Sequence, residues 1–354
     1  MWPSIRTIVS PLRRPFLRDR GGLDNQGTTE LRSSHFRQEF HAQHARKRGG
    51  FRLRRICAAE RSNAAMANIP FVDTHFHLHD MKRPELRYSW LERDAIHGFL
   101  GNIDALKAQH YWIEDYLAEI RFANVAKAIH VQAALGTTDP VNETKWLQAF
   151  GDKTGFPQGI VAECHLAQPD AEAVLERHMQ YANVRGVRDF GEGRYLVDSA
   201  WRAGFAFMQR HNLVSCIDTR IQFFDDLIDL AGAFPNIMIC VDHCAIPEAR
   251  DDDYFKRWST AMRALARANN VVMKISGLGM MDWLWTVESI RPWVLGSIDA
   301  FGVDRVVFGS NWPVDRMFSS YPDLINAYAV IIANFTKDEQ AKMFSRNAET
   351  LFRI

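Results

Sequence analysis

The sequence predicts an α/β protein, a single-domain (β/α)8 TIM barrel preceded by a disordered leader. After residue 66, short apolar segments rich in Val and Ile alternate with longer amphipathic segments, as strands and helices do in a parallel sheet. We count eight such apolar segments, and eight-stranded α/β barrels typically span about 250 residues. The first segment ends in histidines, whereas an open doubly wound sheet would favour a glycine-rich turn there. These observations favour the barrel.

The leader, residues 1–65, differs in composition from the rest of the chain. It carries fourteen Lys/Arg against five Asp/Glu and lacks the apolar core of a secretory signal. We expect it to be disordered, or not part of the working protein if Met66 is the true start. The first eighteen residues contain no acidic residue, so a mitochondrial targeting segment is the alternative to a cytoplasmic location. The predicted domain is 66–354.

Composition excludes several classes of protein. The chain is 47% hydrophobic and 24% charged, which is typical of a globular protein with a full core. A net charge of +1 gives no electrostatic reason to expect nucleic acid as a partner. No apolar run reaches the ~18 residues of a membrane span. Five cysteines without a C-x-x-C pair indicate free, mostly buried thiols in a reducing compartment.

The eight predicted strands are short and rich in β-branched residues. They are Ile69–Asp73, Lys127–Ala133, Gly159–Glu163, Val184–Arg188, Leu213–Ile217, Ile237–Val241, Val271–Ile275 and Arg305–Phe308. Candidate helices follow or lie between them: Asn102–Phe122, Asp170–Tyr181, Ser199–Arg210, Phe223–Phe234, Phe255–Asn269, Trp283–Ala300, Tyr321–Asn334 and Lys337–Phe352. Thr336, with Glu339 three residues later, is a helix-start signal.

Polar groups stand at the end of every predicted strand. In a barrel of this kind the strand ends meet at one rim, where active sites form. The first strand runs into a D-x-H-x-H cluster, and strand alternation predicts that Phe71, Asp73, His75 and His77 share one face. The later ends and the inner positions beside them add His130, Glu163, Arg188, Asp218, Asp242, His243, Lys274 and Asn311. Burying so many ionisable groups costs several kcal/mol unless they are paired, so this rim is predicted to be a site.

With D-T-H-F-H, D-H-C-A-I-P, K-I-S-G-L and F-G-S-N-W-P-V-D in this order, the chain resembles the amidohydrolase superfamily. More narrowly, it is similar to the lactonase-like branch that includes fucono- and rhamnono-lactonases and pyrone-dicarboxylate lactonase. The resemblance covers Phe71 to Ile354 and implies a hydrolase. Its substrate is expected to be a small anionic molecule.

The resemblance also implies roles for individual residues. His75 and His77 match a pair that holds a divalent metal in many members and contacts substrate without metal in others. His243 matches a histidine on strand six, and Arg188 resembles a residue that grips an anionic substrate. Asn311 stands where the family usually has an aspartate that acts as general base. An amide cannot perform that step at neutral pH, so this position departs from the family pattern.

Two questions about the site stay open at this stage. His75, His77 and His243 offer three ligands for a single divalent metal such as zinc and Asp218 a fourth, but a metal-free site is slightly favoured. For the general base, His243 is the first choice and Asp315 the second. Lys274, His130 and Trp312 are predicted to contact the substrate together with Arg188.

We predict hydrolysis of a carboxylated carbonyl compound, most simply a lactone, with His75 and His77 polarising the carbonyl. The first alternative is metal-dependent amide hydrolysis or decarboxylation at the same rim. The second is a barrel that binds a ligand without turnover, which the amide at Asn311 motivates. The sequence does not name the substrate, because the same fold supports many reactions.

Overall fold

Residues 69–191 and 193–354 are described by a computed structural model. At its centre lies a sheet of eight parallel strands, each paired with the strand that follows it in the sheet. In chain order they are β1 (Phe71–Phe76), β2 (Val125–Val131), β3 (Gly159–Glu163), β4 (Val184–Arg188), β5 (Val214–Ile217), β6 (Ile239–Val241), β7 (Val271–Ile275) and β8 (Val306–Phe308). All eight predicted segments therefore form strands.

The ring closes between β1 and β8 through hydrogen bonds just beyond the end of β8. The N–H of Asn311 donates to the carbonyl of His75, and that of His77 to the carbonyl of Trp312, both at 2.7 Å. The Thr74 hydroxyl donates to the Phe308 carbonyl, also at 2.7 Å. The predicted (β/α)8 barrel is confirmed.

Helices surround the strands. They are α1 (Ile113–Ile120), α2 (Val141–Thr154), α3 (Ala171–His178), α4 (Ser199–Phe207), α5 (Phe224–Ala233), α6 (Asp252–Leu265), α7 (Val287–Phe301), α8 (Tyr321–Ile331), α9 (Lys337–Ala341) and α10 (Asn347–Phe352). The start signal at Thr336 is confirmed, because its side chain and that of Glu339 cap α9 reciprocally.

Two helices differ from the sequence prediction. The stretch predicted as one helix from Asn102 to Phe122 is α-helical only in α1, after a loop and a short strand at His110–Tyr111. Helix α2 has no counterpart among the predicted helices. Its buried face includes Glu143, Thr144 and Gln148, so apolar periodicity is weak although the helix packs against the core.

The predicted alternation along β1 is wrong for its first half. Val72 packs into the barrel interior, while Asp73 hydrogen-bonds to Tyr116 outside the ring. The register with β2 shifts between Asp73 and Phe76, and such an irregularity reverses which face later residues occupy. His75 and His77 therefore point inward, as predicted, but Asp73 does not join them.

Apolar packing occurs in two layers. The larger cluster lies between strands and helices, and a smaller one fills the barrel interior below the site. The interior cluster is closed by α10, and it consists of Val72, Ile129, Val131, Val161, Val214, Cys216, Cys240, Val272, Val307, Ala348, Leu351 and Phe352. This layer lies beneath the polar residues of the rim and supports them.

Some predictions concern the part of the chain outside the described residues. The leader 1–65 and its boundary at Met66 lie there, as does Cys57. The other four cysteines are buried and free, as predicted. Within the described residues, no helix combines the length and the apolar character needed to cross a bilayer.

Candidate active site

A cavity opens at the rim where the strands end, with about 470 Å³ of empty space that includes open solvent. Its polar lining comes from six strand ends: His77, Gln132, Arg188, Asp218, His243 and Asn311. Its apolar and aromatic wall consists of Trp90, Leu100, Ala133, Leu135, Phe190, Met280 and Val314. The fold thus brings polar groups from distant parts of the chain to one small volume.

His77 lies at the cavity wall, with the fully buried His75 behind it. Their Nε2 atoms are 3.1 Å apart, and His77 Nδ1 lies 2.8 Å from the Val131 carbonyl oxygen. Because that carbonyl can only accept, His77 carries its proton on Nδ1, and its unprotonated Nε2 faces the Nε2 of His75. Burial lowers the pKa of both rings well below the ordinary value, so both are neutral at neutral pH.

A buried ion pair lies beneath the two histidines. Lys274 Nζ is 2.7 Å from Asp242 Oδ1 and 3.5 Å from His75 Nδ1. Burial alone would lower the pKa of Lys274, but Asp242, Cys216 and Cys240 together outweigh it and the net shift is upward. Burial likewise raises the pKa of Asp242, yet Lys274 and the two histidines His75 and His243 together hold it well below its usual range. Lys274, predicted to contact substrate, is absent from the cavity lining and lies under its floor.

Arg188 is fixed by contacts on three sides. Its Nη2 donates to the carbonyl oxygen of Gln132 at 2.9 Å and to the side-chain oxygen of Gln132 at 3.0 Å. Its Nη1 lies 3.4 Å from Asp242 Oδ2, and its guanidinium carbon lies 4.7 Å from the centroid of the Phe190 ring. The cation is therefore held in the lining before any ligand arrives.

Two N–H donors of the lining have no acceptor among the described residues. They are Arg188 Nε and Gln132 Nε2, and both side chains are buried. The amide of Asn311 faces the buried carboxyl of Asp315. A buried donor without a partner costs about 1–3 kcal/mol, so native proteins keep few of them without a reason. Two beside one cavity favour water or a ligand that supplies oxygen acceptors.

The turn after β6 places His243 in the cavity at a cost in backbone strain. All four residues 243–246 have positive φ, between 44° and 58°, which L-residues rarely adopt. Trp258 on α6 stabilises the turn by donating from Nε1 to the Cys244 carbonyl at 2.9 Å. Gly277 after β7 leaves room for the imidazole, since a Cβ there would lie 2.4 Å from His243 Nδ1.

The environment of His243 makes it a weak base. Its Nδ1 is 2.9 Å from the Ser276 hydroxyl. Burial lowers its pKa to about 3, and Arg188 and Lys274 act in the same direction although Asp242 opposes them. Asn311, the other lining residue with strained backbone, has φ of 58°.

Asp218 and Gln132 line the cavity, although the sequence predicts Asp218 only as a polar group of the rim and gives neither residue a catalytic or substrate-binding role. Their positions just past β5 and β2 were the available signal. Asp218 is half-buried, and burial raises its pKa to about 6 against the opposing effect of Arg188. Asp315, the second choice for the base, is fully buried and is not part of the lining.

Two other predicted substrate contacts lie away from the cavity. His130 is fully buried, and its Nε2 accepts the N–H of Leu78 at 2.8 Å. The Trp312 ring is equally buried and donates from Nε1 to the Glu119 carboxylate. Neither residue belongs to the lining, so both contribute to packing and not to the cavity wall.

The Lys274 ammonium competes with any divalent metal ion for the donor groups of this site. In the described part of the chain, the close three-ligand groups are His75, Asp242, His243 and Cys216, Cys240, Asp242, and His77 is in neither. Lys274 already contacts Asp242 and lies near His75. His75 Nδ1 also lies 3.7 Å from Asp242 Oδ1, so a proton on Nδ1 has an acceptor there and does not exclude a metal on the Nε2 atoms. The steps proposed below use the chain's own residues.

Comparison with known proteins covers the barrel from β1 to the end of the chain. The model of the Amidohydrolase family matches residues 72–354. The chain belongs to the amidohydrolase family. This amidohydrolase is 39% identical over 301 residues to the uncharacterized protein y4mH of Sinorhizobium fredii, an alignment that covers 82% of this chain and 100% of that protein.

Two further relatives carry descriptions of their own. L-fucono-1,5-lactonase of Burkholderia ambifaria is 26% identical over 302 residues, with 80% of this chain and 95% of that protein covered. A crystal structure of a Burkholderia multivorans amidohydrolase with bound zinc superposes with a TM-score of 0.69 at 22% identity, over 80% of this chain and 99% of that one. The structural likeness concerns the fold. Family membership makes this amidohydrolase an enzyme, a hydrolase of a small-molecule substrate.

Proposed function

We propose that this amidohydrolase hydrolyses a small lactone that bears carboxylate or hydroxyl groups. The observation that carries the proposal is the pair of unpaired buried donors on Arg188 and Gln132, beside the amide of Asn311 in the same lining. A sugar-acid lactone presents carbonyl, ring and substituent oxygens, all of which accept hydrogen bonds. The similarity to the L-fucono-1,5-lactonase of B. ambifaria supports the same class of substrate.

In this proposal the amides of Asn311 and Gln132 stabilise the charge that develops on the carbonyl oxygen. Donors fixed before the reaction favour the transition state over the ground state. The sequence predicts His75 and His77 for this role. However, the N–H of His77 points to Val131, and His75 is fully buried outside the cavity lining, which leaves neither ring a proton for substrate. We assign the pair to shaping the wall instead.

Arg188 is the proposed anchor for a substrate carboxylate or hydroxyl. Its planar fork suits a carboxylate, and its Nε is the donor left without a partner. The reaction adds one water: the water oxygen bonds to the carbonyl carbon, and the ring C–O bond breaks. The ring oxygen leaves as a hydroxyl, and the carboxylic acid formed ionises and releases a proton.

That proton makes turnover measurable with a pH indicator. We expect the purified full chain to open at least one member of a panel of 1,4- and 1,5-lactones of sugar acids and carboxylated lactones faster than buffer does. Arg188→Gln should lower kcat/KM about 10- to 100-fold, as expected for losing a charge-assisted hydrogen bond. Arg194→Gln is the matched control, because Arg194 is 70% exposed and pairs only with Asp226 among the described residues.

No acceleration for any lactone would end the proposal. Binding of lactones without turnover would instead identify a ligand-binding barrel, and loss of activity in the control to the same extent would remove Arg188 from the site.

A further inference from the structure

We propose that Asp218 is the general base of this reaction. It would take over the role of the aspartate that the family usually has at the end of β8, where this chain has Asn311. The inference rests on the proposed lactone hydrolysis. Asp218 lies just past β5, is half-buried, and is the one carboxylate among the described residues that line the cavity. No hydrogen bond to the described residues engages its oxygens, so they are available to a water molecule in the cavity.

The other polar groups of the lining are poorer candidates. Arg188 has no lone pair to accept a proton, and the amides of Gln132 and Asn311 are not basic. Both ring nitrogens of His77 are engaged, one by Val131 and one by His75. His243 retains one ring nitrogen, but its pKa of about 3 makes it a weak base.

The surroundings of Asp218 raise the pKa of its carboxyl toward neutral pH. Burial raises its pKa to about 6, the Asp242 carboxylate adds to that rise, and Arg188 and Arg220 oppose it. Tyr195 on the neighbouring segment is neutral, because burial and nearby carboxylates raise its pKa further above the ordinary value. A catalytic base works best when its pKa lies near the working pH, which Asp218 approaches and His243 does not.

The proposed step is balanced within the cavity. The Asp218 carboxylate takes a proton from water as the water oxygen bonds to the lactone carbonyl carbon, and the π electrons move to the carbonyl oxygen. When that adduct collapses, the C=O bond re-forms and the ring C–O bond breaks. The proton on Asp218 passes to the departing ring oxygen, and the carboxylate is regenerated without any further reactant.

The test is a pH–rate profile of wild-type protein and of Asp218→Asn. Because the base must be ionised, wild-type kcat/KM should rise with pH through about 6 and then level off. Asp218→Asn should lose about 10²- to 10⁴-fold in kcat, with little change in KM. The rise of its rate with pH through about 6 should also disappear. Asp225→Asn, an exposed position at the start of α5, should retain wild-type rates.

Chemical rescue separates a base from a structural residue. Formate added to Asp218→Ala should restore part of the turnover, because a small carboxylate can occupy the space of the missing one. A residue that only supports the fold would not respond to formate.

The outcomes distinguish this inference from the function on which it rests. Lactone hydrolysis that is flat in pH from 4 to 8, or that survives Asp218→Asn unchanged, would overturn the inference and leave the lactonase proposal standing. The wild-type profile decides this even if the Asp218 variants do not fold. Wild-type protein without lactonase activity would overturn both.

Discussion

A single lysine determines the electrostatics of the floor of this site. Lys274 places a positive charge between Asp242 and His75, which is where a bound cation would interact with the same groups. Breaking such a fully buried pair by removing one partner usually costs about 3–5 kcal/mol, so the ammonium is hard to displace. The charge is fixed before substrate binds, although the side chain does not reach the cavity.

Removal of metal ions should therefore leave this amidohydrolase active. After dialysis against a strong chelator, we expect lactone turnover to stay at its starting rate, because Lys274 and Arg188 supply the positive charge of the site. Metal analysis of the purified protein should show well below one ion per chain. Activity that disappears with the chelator and returns on adding zinc would show that Lys274 and Arg188 do not supply the positive charge that the reaction needs.

At the scale of one element, the turn after β6 couples a helix to the cavity. Residues 243–246 keep their strained conformation only because their surroundings hold them, and Trp258 on α6 provides one of those contacts. The indole is fully buried and packs against Phe255 and Trp293. The position of His243 therefore depends on a side chain that lies outside the cavity lining.

Trp258→Phe should reduce activity more than it reduces stability. The change keeps an aromatic ring but removes the hydrogen bond to the Cys244 carbonyl, which is worth about 1 kcal/mol. We expect a loss of about 10-fold in kcat, since the turn and His243 can then shift. Turnover rates and urea unfolding measure the two effects.

Trp293→Phe is the control for this prediction. Its ring centroid lies 5.0 Å from that of Trp258, so the variant loses similar volume from the same cluster but keeps the hydrogen bond from Trp258 to the turn. Equal activity in the two variants would show that packing, and not the bond to the turn, is what matters.

At the scale of the molecule, the sequence predicts which segments form the strands of the barrel. It predicts less well which side chains reach the cavity and which lie below it. Each strand is a short β-branched run, so all eight were identifiable. His130 and Lys274 lie within strands, below the cavity, whereas His243 and Asn311 follow strands and reach it. Strand ends alone do not show that difference, because it depends on how far each strand extends toward the rim. The sequence does not predict the irregularity in β1 either, because it arises from the register with β2.

That irregularity gives Asp73 a part in closing the ring. Its carboxylate accepts from the N–H and the hydroxyl of Ser310 at 2.8 and 2.6 Å. The hydroxyls of Tyr116 on α1 and Tyr321 on α8 each donate to it at 2.9 Å. One buried side chain on β1 thus joins the segment after β8 and two outer helices, at the seam between the first and last strands.

Asp73→Ala should destabilise the whole barrel by about 3 kcal/mol or more, because it leaves several buried donors without an acceptor. Tyr321→Phe removes only one of these bonds and should cost about 1 kcal/mol. Urea unfolding of wild type and both variants gives the comparison. If Asp73→Ala unfolds within 1 kcal/mol of Tyr321→Phe, the backbone hydrogen bonds between β1 and the segment after β8 are sufficient to close the ring, and the carboxylate is dispensable.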